Sequence, residues 1–227
     1  MWYHQYVYDH ESRTLIGRFE DLYREGAANG LDAWHQDQLD VREDVALAQC
    51  AVADVRGDHH LRTVVDLGCG KGVLARHLFA DVERYLGIDV SETAVATARS
   101  SFPTMEFVQS NVQTGEDLSR VVSHRCATDL DLFFCCQTLS FMDDWSGILE
   151  QATRSFKAIV VVLYLPPNPI GYIKSFGSLV DKVGRNFSEI SCRFSPSGTH
   201  LAISGRCARP SDDAVDESHD RDVALIA

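Results

Sequence analysis

The sequence predicts an α/β fold: a doubly wound, seven-stranded and mostly parallel sheet preceded by an N-terminal helical cap. Three observations indicate it. From Thr63 onward, short apolar runs alternate with helix-compatible segments, the pattern of a parallel sheet covered on both faces. The run DLDLFFCC is nearly continuous in apolar residues, as expected for a central buried strand. Two last strand-like runs flank residues 195–198, SPSG, and indicate a closing hairpin.

Length and charge restrict the possible functions. The 227 residues fit one domain with appendages: a helical cap and lid over 1–62, a core over 63–209, and an acidic tail over 210–227 that we expect to be disordered. The net charge of −12 disfavours a nucleic-acid groove and an anionic membrane surface. The longest apolar run, residues 158–165, is shorter than the roughly 20 residues of a membrane-spanning helix.

The cysteines and the N-terminus favour a cytoplasmic protein. Seven cysteines, an odd number without C-x-x-C spacing, are best explained as buried reduced thiols. They indicate no zinc site, and we expect no metal. The start, MWYHQYVYDH, lacks the basic residues and the continuous apolar stretch of a signal peptide.

The cap is expected to hold two helices. In the first, the apolar residues from Leu15 to Tyr23 fall on one helical face, and the segment from Gly26 to Gly30 ends the helix. The second is expected from about Leu39 to Arg56.

The elements of the core follow from apolar runs and capping residues. Strands are expected at about 63–67, 84–89, 105–110, 129–136, 158–165, 187–194 and 200–207. Helices are expected at about 71–80, 91–100, 116–123 and 144–156, with Ser91 and Asp144 as N-caps. Asn168 as an N-cap, with Pro169 at the first helical position, predicts a further helix.

The stretch VVDLGCGKG, residues 64–72, organises the rest of the core. It indicates a buried strand, a tight turn and a helix whose free N–H groups point over the turn. Its pattern is acid-x-G-x-G-x-G, from Asp66 through Gly68, Gly70 and Gly72. The dinucleotide-binding pattern G-x-G-x-x-G would instead place its third glycine at Val73.

A second acid, Asp89, closes the next strand-like run, RYLGIDV, where a ribose diol would need a bidentate acceptor. With this pair of motifs, the sequence resembles the class I S-adenosylmethionine (SAM)-dependent methyltransferases over roughly residues 30–209. It is most similar to small-molecule members of the nodulation N-methyltransferase type, which share the Asp-x-Trp segment, the S-x-V-Q run and the short hairpin ending. The resemblance implies SAM as cofactor and an antiparallel last strand.

The resemblance also implies which residues bind the cofactor. The backbone of residues 68–70 would meet the methionine part of SAM, and Asp89 would accept from both ribose hydroxyls. Val90 and Val112 would enclose the adenine, with Asn111 at its amino group. The full set of cofactor-binding residues is Trp34, Asp66, Gly68, Cys69, Gly70, Gly72, Asp89, Val90, Asn111, Val112, Cys136 and Gln137.

Some of these residues have two possible roles. Asp66 would either meet the amino group of SAM through water or bond the N–H groups of its own loop. Trp34 would either close the pocket or pack under a helix of the cap. Cys136 and Gln137, after the fourth strand, would lie beside the sulfonium. Lys71 is expected to be a solvated surface charge.

No catalytic base follows from the resemblance, because Ser140-Phe141 stands where many small-molecule relatives carry a pair of histidines. The candidates from elsewhere in the chain are His35, Tyr8, His10, Asp143 and Tyr164. For each, a structural role is the commoner one. An amine presented neutral by a desolvating pocket would need no base.

We expect methyl transfer from SAM to a nitrogen or oxygen of a small-molecule acceptor such as a sugar, an amine or a secondary metabolite, with no nucleic-acid or membrane partner. The alternatives are a protein or RNA methyltransferase and a non-catalytic SAM-binding protein. The acceptor, its reacting atom, the use of a base and the oligomeric state stay open at this level.

Overall fold

A computed structural model describes residues 4–57, 60–126, 130–187 and 189–206. Its main sheet has seven strands: β1 (Thr63–Leu67), β2 (Arg84–Asp89), β3 (Glu106–Gln109), β4 (Leu130–Cys136), β5 (Phe156–Tyr164), β6 (Glu189–Phe194) and β7 (His200–Arg206). The order is β3-β2-β1-β4-β5-β7-β6, and β7 alone runs in the direction opposite to the other six strands. The predicted fold class, including the antiparallel last strand, is confirmed.

The helices of the described residues are α1 (His4–Val7), α2 (Phe19–Asn29), α3 (Glu43–Arg56), α4 (Val73–Phe79), α5 (Glu92–Ser101), α6 (Gly115–Arg125), α7 (Trp145–Ser155) and α8 (Phe176–Gly184). The predicted N-caps are confirmed for two of them. The Ser91 hydroxyl accepts from the N–H of Ala94 at 3.1 Å, and the Asp144 carboxylate accepts from that of Gly147 at 3.0 Å. Each cap satisfies an N–H group that has no partner within its helix.

Helices cover both faces of the sheet because alternate residues of a strand point to opposite faces. In β4, Phe133 joins a core that includes Leu118 of α6 and Ile148 of α7. Its neighbour Phe134 joins the opposite core, which includes Val52 of α3 and Phe79 of α4. Since every residue of β4 is buried, the strand is as apolar as the sequence suggested.

The carboxylate of Glu20 is one of the groups that bond the cap to the core. Glu20 of α2 accepts from the hydroxyl of Ser91 at 2.7 Å and from that of Thr93 at 2.6 Å. Ser91 is also the N-cap of α5, which follows β2. The cap is therefore held close to the end of β2.

Two predicted helix starts are wrong in the cap. Leu15 belongs to a two-residue strand that pairs with Tyr8–Asp9, and α2 begins only at Phe19, after Gly17 has turned the chain with a φ of +70°. The second helix is preceded by a separate 3₁₀ turn, Leu39–Val41, and α3 begins at Glu43.

The prediction that a helix begins at Asn168 and Pro169 is also wrong. Residues 165–175 are irregular, and the helix begins at Phe176. Tertiary contacts explain the difference, because the N–H of Tyr172 donates to the carbonyl of Ser140 at 2.7 Å and Ile173 is fully buried. A local helix-start signal is weaker than such contacts.

The cysteines only partly fit the expectation. Cys69, Cys135 and Cys136 are buried, whereas Cys50 and Cys192 are exposed. No helix in the described ranges is long and apolar enough to cross a membrane. The predicted acidic tail lies outside the described residues.

Replacing Phe134 by Ala should lower the free energy of unfolding by about 3–5 kcal/mol, because the side chain is fully buried with its ring 5.1 Å from that of Phe79. The half-exposed Phe194 is the matched control, and Phe194→Ala should cost about 1 kcal/mol or less. Urea unfolding measures both values. Equal losses would contradict the assigned core.

Candidate active site

A cavity of about 630 Å³ lies at the edge of the sheet where β1, β2, β4 and β5 end. Ligands of open α/β sheets bind at this edge, and small-molecule sites have volumes of about 300–1,000 Å³. The predicted cofactor-binding residues that line the cavity are Trp34, Asp66, Gly68, Cys69, Asp89, Val90, Asn111, Val112, Cys136 and Gln137. The structure thus brings most of the predicted set together.

Four predicted site residues lie outside the lining of this cavity. Gly70 and Gly72 are covered by other side chains. His10 and Asp143 are exposed. Those two are therefore removed from the base candidates, while Tyr8, His35 and Tyr164 line the cavity.

The glycine loop requires glycine at its three positions. Gly68, Gly70 and Gly72 have φ values of +85°, +54° and +76°, in the region that side chains rarely adopt. A Cβ on Gly68 would lie 1.9 Å from the hydroxyl oxygen of Thr138, and one on Gly70 would lie 2.2 Å from Nε2 of Gln36. The space above Gly70 is thus filled by the cap, and the cavity opens beside residues 68 and 69.

The N–H groups of the loop are not free to meet a ligand, which corrects the sequence-based expectation. Those of Gly68 and Cys69 donate to the carbonyl of Ile88 at 2.7 and 3.1 Å. The N–H group of Gly70 donates to Asp89 at 2.8 Å, and that of Lys71 donates to Gln36 at 3.1 Å. A ligand above the loop therefore meets carbonyl oxygens and side chains.

Asp89 is fixed at the end of β2 with its carboxylate facing the cavity. It is 9% exposed, and its two oxygens accept from the N–H groups of Gly70 at 2.8 Å and Ser91 at 2.9 Å. Burial raises the pKa of Asp89, and these N–H groups counter only part of that rise. Each carboxylate oxygen still has capacity for a further hydrogen bond.

Asp66 bonds a tyrosine, which is neither of the partners expected from the sequence, the amino group of SAM and the N–H groups of the loop. Its carboxylate accepts from the hydroxyl of Tyr85 at 2.6 Å and bonds no N–H group of its loop. Burial raises the pKa of Asp66 to about 7, although the bond from Tyr85 lowers it. The nearby Asp89 adds to the rise.

Ion pairs bind the cap segment to the loop. Lys71 is not solvated as expected, because its side chain is only 19% exposed and pairs with Asp32 at 2.8 Å and Asp37 at 3.0 Å. Gln36 lies between these acids in the sequence. Its side-chain oxygen accepts from the N–H of Lys71, and its amide nitrogen lies over Gly70. The segment 32–37 therefore closes the cavity over the glycine loop.

Aromatic rings form one wall of the cavity. Tyr8, Phe19 and Trp34 lie 5.9, 5.2 and 6.0 Å from the ring of Phe141, centroid to centroid. Trp34 and the following His35 both have positive φ values, +65° and +49°. Such strained backbone is typical of functional segments. Trp34 lines the cavity and also packs against a buried cluster that includes Leu22 and Tyr23 of α2, so the structure agrees with both roles considered for it.

Sequence reasoning missed a charged cluster at the start of α3. Arg42 donates through Nε to Asp44 at 3.0 Å and makes a second bond to it through Nη2. Burial acts to raise the pKa of Asp44, but Arg42 outweighs it and holds the pKa below its usual value. The two first-turn acids of α3, Glu43 and Asp44, were the available signal, although they are typical of any helix start.

Gln137 connects this cluster to the sheet. It has a φ of +61°, and its side-chain oxygen accepts from the N–H of Tyr164 at 2.7 Å. Its Nε2 is buried without an aligned hydrogen bond to the described residues. It lies close enough to Asp44 to help lower the pKa of that carboxyl group.

Residues 64–158 match a family model described as a methyltransferase domain. This match and the relatives below support the resemblance to class I SAM-dependent methyltransferases. The resemblance inferred from Asp66, the glycines and Asp89 is thereby confirmed.

Individual relatives agree with this methyltransferase domain. The ubiquinone biosynthesis O-methyltransferase of Nitrosomonas europaea is 25% identical over 155 residues, 66% of this chain. The chain spans 59% of that relative's length. Crystal structures with bound S-adenosylhomocysteine (SAH) share the fold. One is the N-methyltransferase NodS from Bradyrhizobium japonicum, with a TM-score of 0.63 and 13% identity; the match covers 84% of this chain and 98% of NodS. The other is magnesium protoporphyrin IX methyltransferase from Synechocystis, with a TM-score of 0.59 and 14% identity; the match covers 85% of this chain and 95% of that one.

The raised pKa of Asp66 should make the methyltransferase domain less stable as pH rises. Between its ordinary value of 3.8 and about 7, the unfolded chain has released a proton that the folded protein keeps. The stabilisation present below pH 4 is therefore lost as pH rises through 7. From pH 4.5 to 7.5, the free energy of unfolding of the wild type should fall by about 2–4 kcal/mol relative to Asp66→Asn.

Urea unfolding of both proteins at four pH values in this range measures the difference. Asp143→Asn, which removes an exposed carboxyl group, controls for the loss of a charge. A constant difference between wild type and Asp66→Asn would show that Asp66 is ionised throughout.

Proposed function

We propose that this protein transfers a methyl group from SAM to a nitrogen or oxygen of a small-molecule acceptor. The observation that carries the proposal is one cavity, partly covered by the cap, that combines Asp89 and its apolar neighbours with a separate polar end at the start of α3. SAM, when bound, supplies a methyl group on a sulfonium, which leaves as a neutral thioether.

The residues present fit SAM at the end of the cavity near β2. Asp89 has acceptor capacity for a ribose diol. Val90 and Val112 offer apolar surface for an adenine, and Asn111 lines the same end. The hydroxyl of Tyr23 and the amide of Gln36, bonded to each other at 3.1 Å, lie above Gly70, where the loop provides no free N–H group for the amino-acid end.

At the acceptor end, the groups next to β4 add no net charge beside the sulfonium. Asp44 is neutralised by Arg42, and the residues that follow β4, Gln137 and Thr138, are uncharged. A strong unpaired anion there would stabilise the ground state, in which the donor is positively charged, more than the transition state. Alignment of two reactants can supply roughly 7–11 kcal/mol of the barrier.

The volume of the cavity and the relatives support a small acceptor. The segment 32–37 and the aromatic wall around Phe141 cover part of the cavity, and its volume of about 630 Å³ lies in the range of small-molecule sites. By their names, the relatives methylate oxygen in the Nitrosomonas protein and nitrogen in NodS. The proposal therefore includes transfer to either oxygen or nitrogen.

Isothermal titration with SAM and SAH tests donor binding, and methyl-labelled SAM with cell extract tests transfer. The extract is divided into small-metabolite, protein and RNA fractions. Label in the metabolite fraction supports the proposal. Label confined to protein or RNA, or binding without any transfer, would replace it with another function.

Asp89→Asn should weaken SAH binding about 10- to 100-fold, because hydrogen bonds to a charged acceptor contribute about 1.5–3 kcal/mol. Asp143→Asn, outside the cavity, should bind SAH like the wild type. Titration calorimetry gives the affinities, and thermal unfolding without ligand shows that both variants are folded. Unchanged affinity of a folded Asp89→Asn protein would exclude Asp89 as a donor-binding residue.

A further inference from the structure

His200, the first residue of β7, lines the cavity beside Tyr164, its partner in β5, with their rings 5.1 Å apart. Its Nδ1 lies 3.2 Å from the hydroxyl oxygen of Thr199 and 3.5 Å from Oε2 of Glu43. Within the described residues, Nε2 makes no hydrogen bond. One ring nitrogen is thus held by the protein, and the other is available.

The groups around Nδ1 favour the tautomer that carries the proton on Nδ1. Ser195, Ser197 and Thr199 form a chain of hydroxyl groups between Glu43 and His200, in which the oxygen of Ser197 lies 2.9 Å from that of Ser195 and 2.8 Å from that of Thr199. The Thr199 oxygen lies 3.2 Å from Nδ1 and can accept, and the carboxylate of Glu43, 3.5 Å from Nδ1, can only accept. With these two acceptors beside Nδ1, the lone pair of neutral His200 is on Nε2.

Glu43 gives this chain its direction. The hydrogen bonds from Ser197 and Ser195 lower the pKa of Glu43, so its carboxylate is ionised and can only accept. The same carboxylate, 3.5 Å from Nδ1, stabilises the positive ring that forms when Nε2 takes up a proton. A histidine held this way by a carboxylate is arranged as a general base.

The charges around His200 favour a neutral acceptor. Of the carboxylates packed near it, Asp44 is paired with Arg42, and Glu43 is bonded to Ser197. Tyr164 contributes an aromatic ring. The carboxylate of Glu43 is engaged by Ser197 and faces Nδ1 of His200, whereas a hydroxyl compound needs only the base at Nε2. The aromatic wall around Phe141 adds surface for a ring.

We propose that His200 is the general base for an aromatic hydroxyl acceptor, positioned by Glu43 through Ser197 and Thr199. The inference rests on the proposed methyl transfer. Nε2 of His200 takes the hydroxyl proton while a lone pair of the acceptor oxygen forms the bond to the methyl carbon. The bond from that carbon to the donor sulfur breaks, and its electron pair stays on sulfur. The proton then leaves His200 for water.

The tautomer of His200 is measured without an acceptor, by long-range proton–nitrogen correlation NMR on protein labelled with ¹⁵N-histidine. His200→Gln assigns the signal. Neutral His200 should be protonated on Nδ1 in the wild type and should become a mixture in Glu43→Gln and Thr199→Val, since neither variant keeps the direction of the chain. An Nε2–H tautomer in the wild type, or unchanged spectra in both variants, would overturn the proposal.

Transfer from labelled SAM is measured with the small-metabolite fraction and with two probe sets, phenols (catechol and 4-methylcatechol) and amines (aniline and benzylamine). His200→Gln should reduce transfer about 10²- to 10⁴-fold, the usual contribution of a general base. The matched control is His124→Gln at an exposed position of α6, which should transfer like the wild type.

The outcomes separate the two proposals. Failure of the wild type to bind SAH would remove the proposed function itself. If SAH binds to wild type and His200→Gln equally, the base is tested alone, and transfer within three-fold of wild type in His200→Gln would overturn it. Methylation of amines but not of phenols, or no methylated small molecule at all, would also overturn it.

Discussion

The hydrogen bond between the N–H of Gly70 and the carboxylate of Asp89 is the contact on which the site depends. It joins the loop after β1 to the end of β2 and sets the carboxylate toward the cavity. The positive φ of Gly70 turns the chain at the position from which its N–H group donates to Asp89. Around this contact the protein has satisfied the N–H groups of the loop, so the space beside Gly68 is bounded by a rigid surface.

The two ends of the cavity are charged in different ways. Near β2, burial raises the pKa values of Asp66 and Asp89, since few positive groups lie close to them. Near α3, Arg42 holds the pKa of Asp44 low. One end therefore has carboxyl groups with free hydrogen-bonding capacity, and the other has the ion pair of Arg42 with Asp44. This division suits a donor that carries charge and an acceptor that does not.

Local signals predicted the framework well, and long-range contacts account for what they missed. The caps at Ser91 and Asp144 and the bounds of β1 and β2 depend on neighbouring residues, so their patterns sufficed. The irregular segment around Tyr172 depends on a bond to Ser140, and the orientation of His200 depends on Glu43. No spacing rule connects residues so far apart in the chain. Asp89 was predicted because its motif reflects a local strand end.

The ion pairs of Lys71 with Asp32 and Asp37 have a consequence for ligand traffic. They connect the covering segment to the glycine loop, so displacement of that segment from the loop would separate opposite charges. One of the three side chains, Asp37, is 66% exposed to solvent. Dissolved electrolyte weakens such pairs, with a screening distance of about 8 Å at physiological ionic strength. The attachment of the covering segment to the glycine loop is therefore expected to weaken as ionic strength rises.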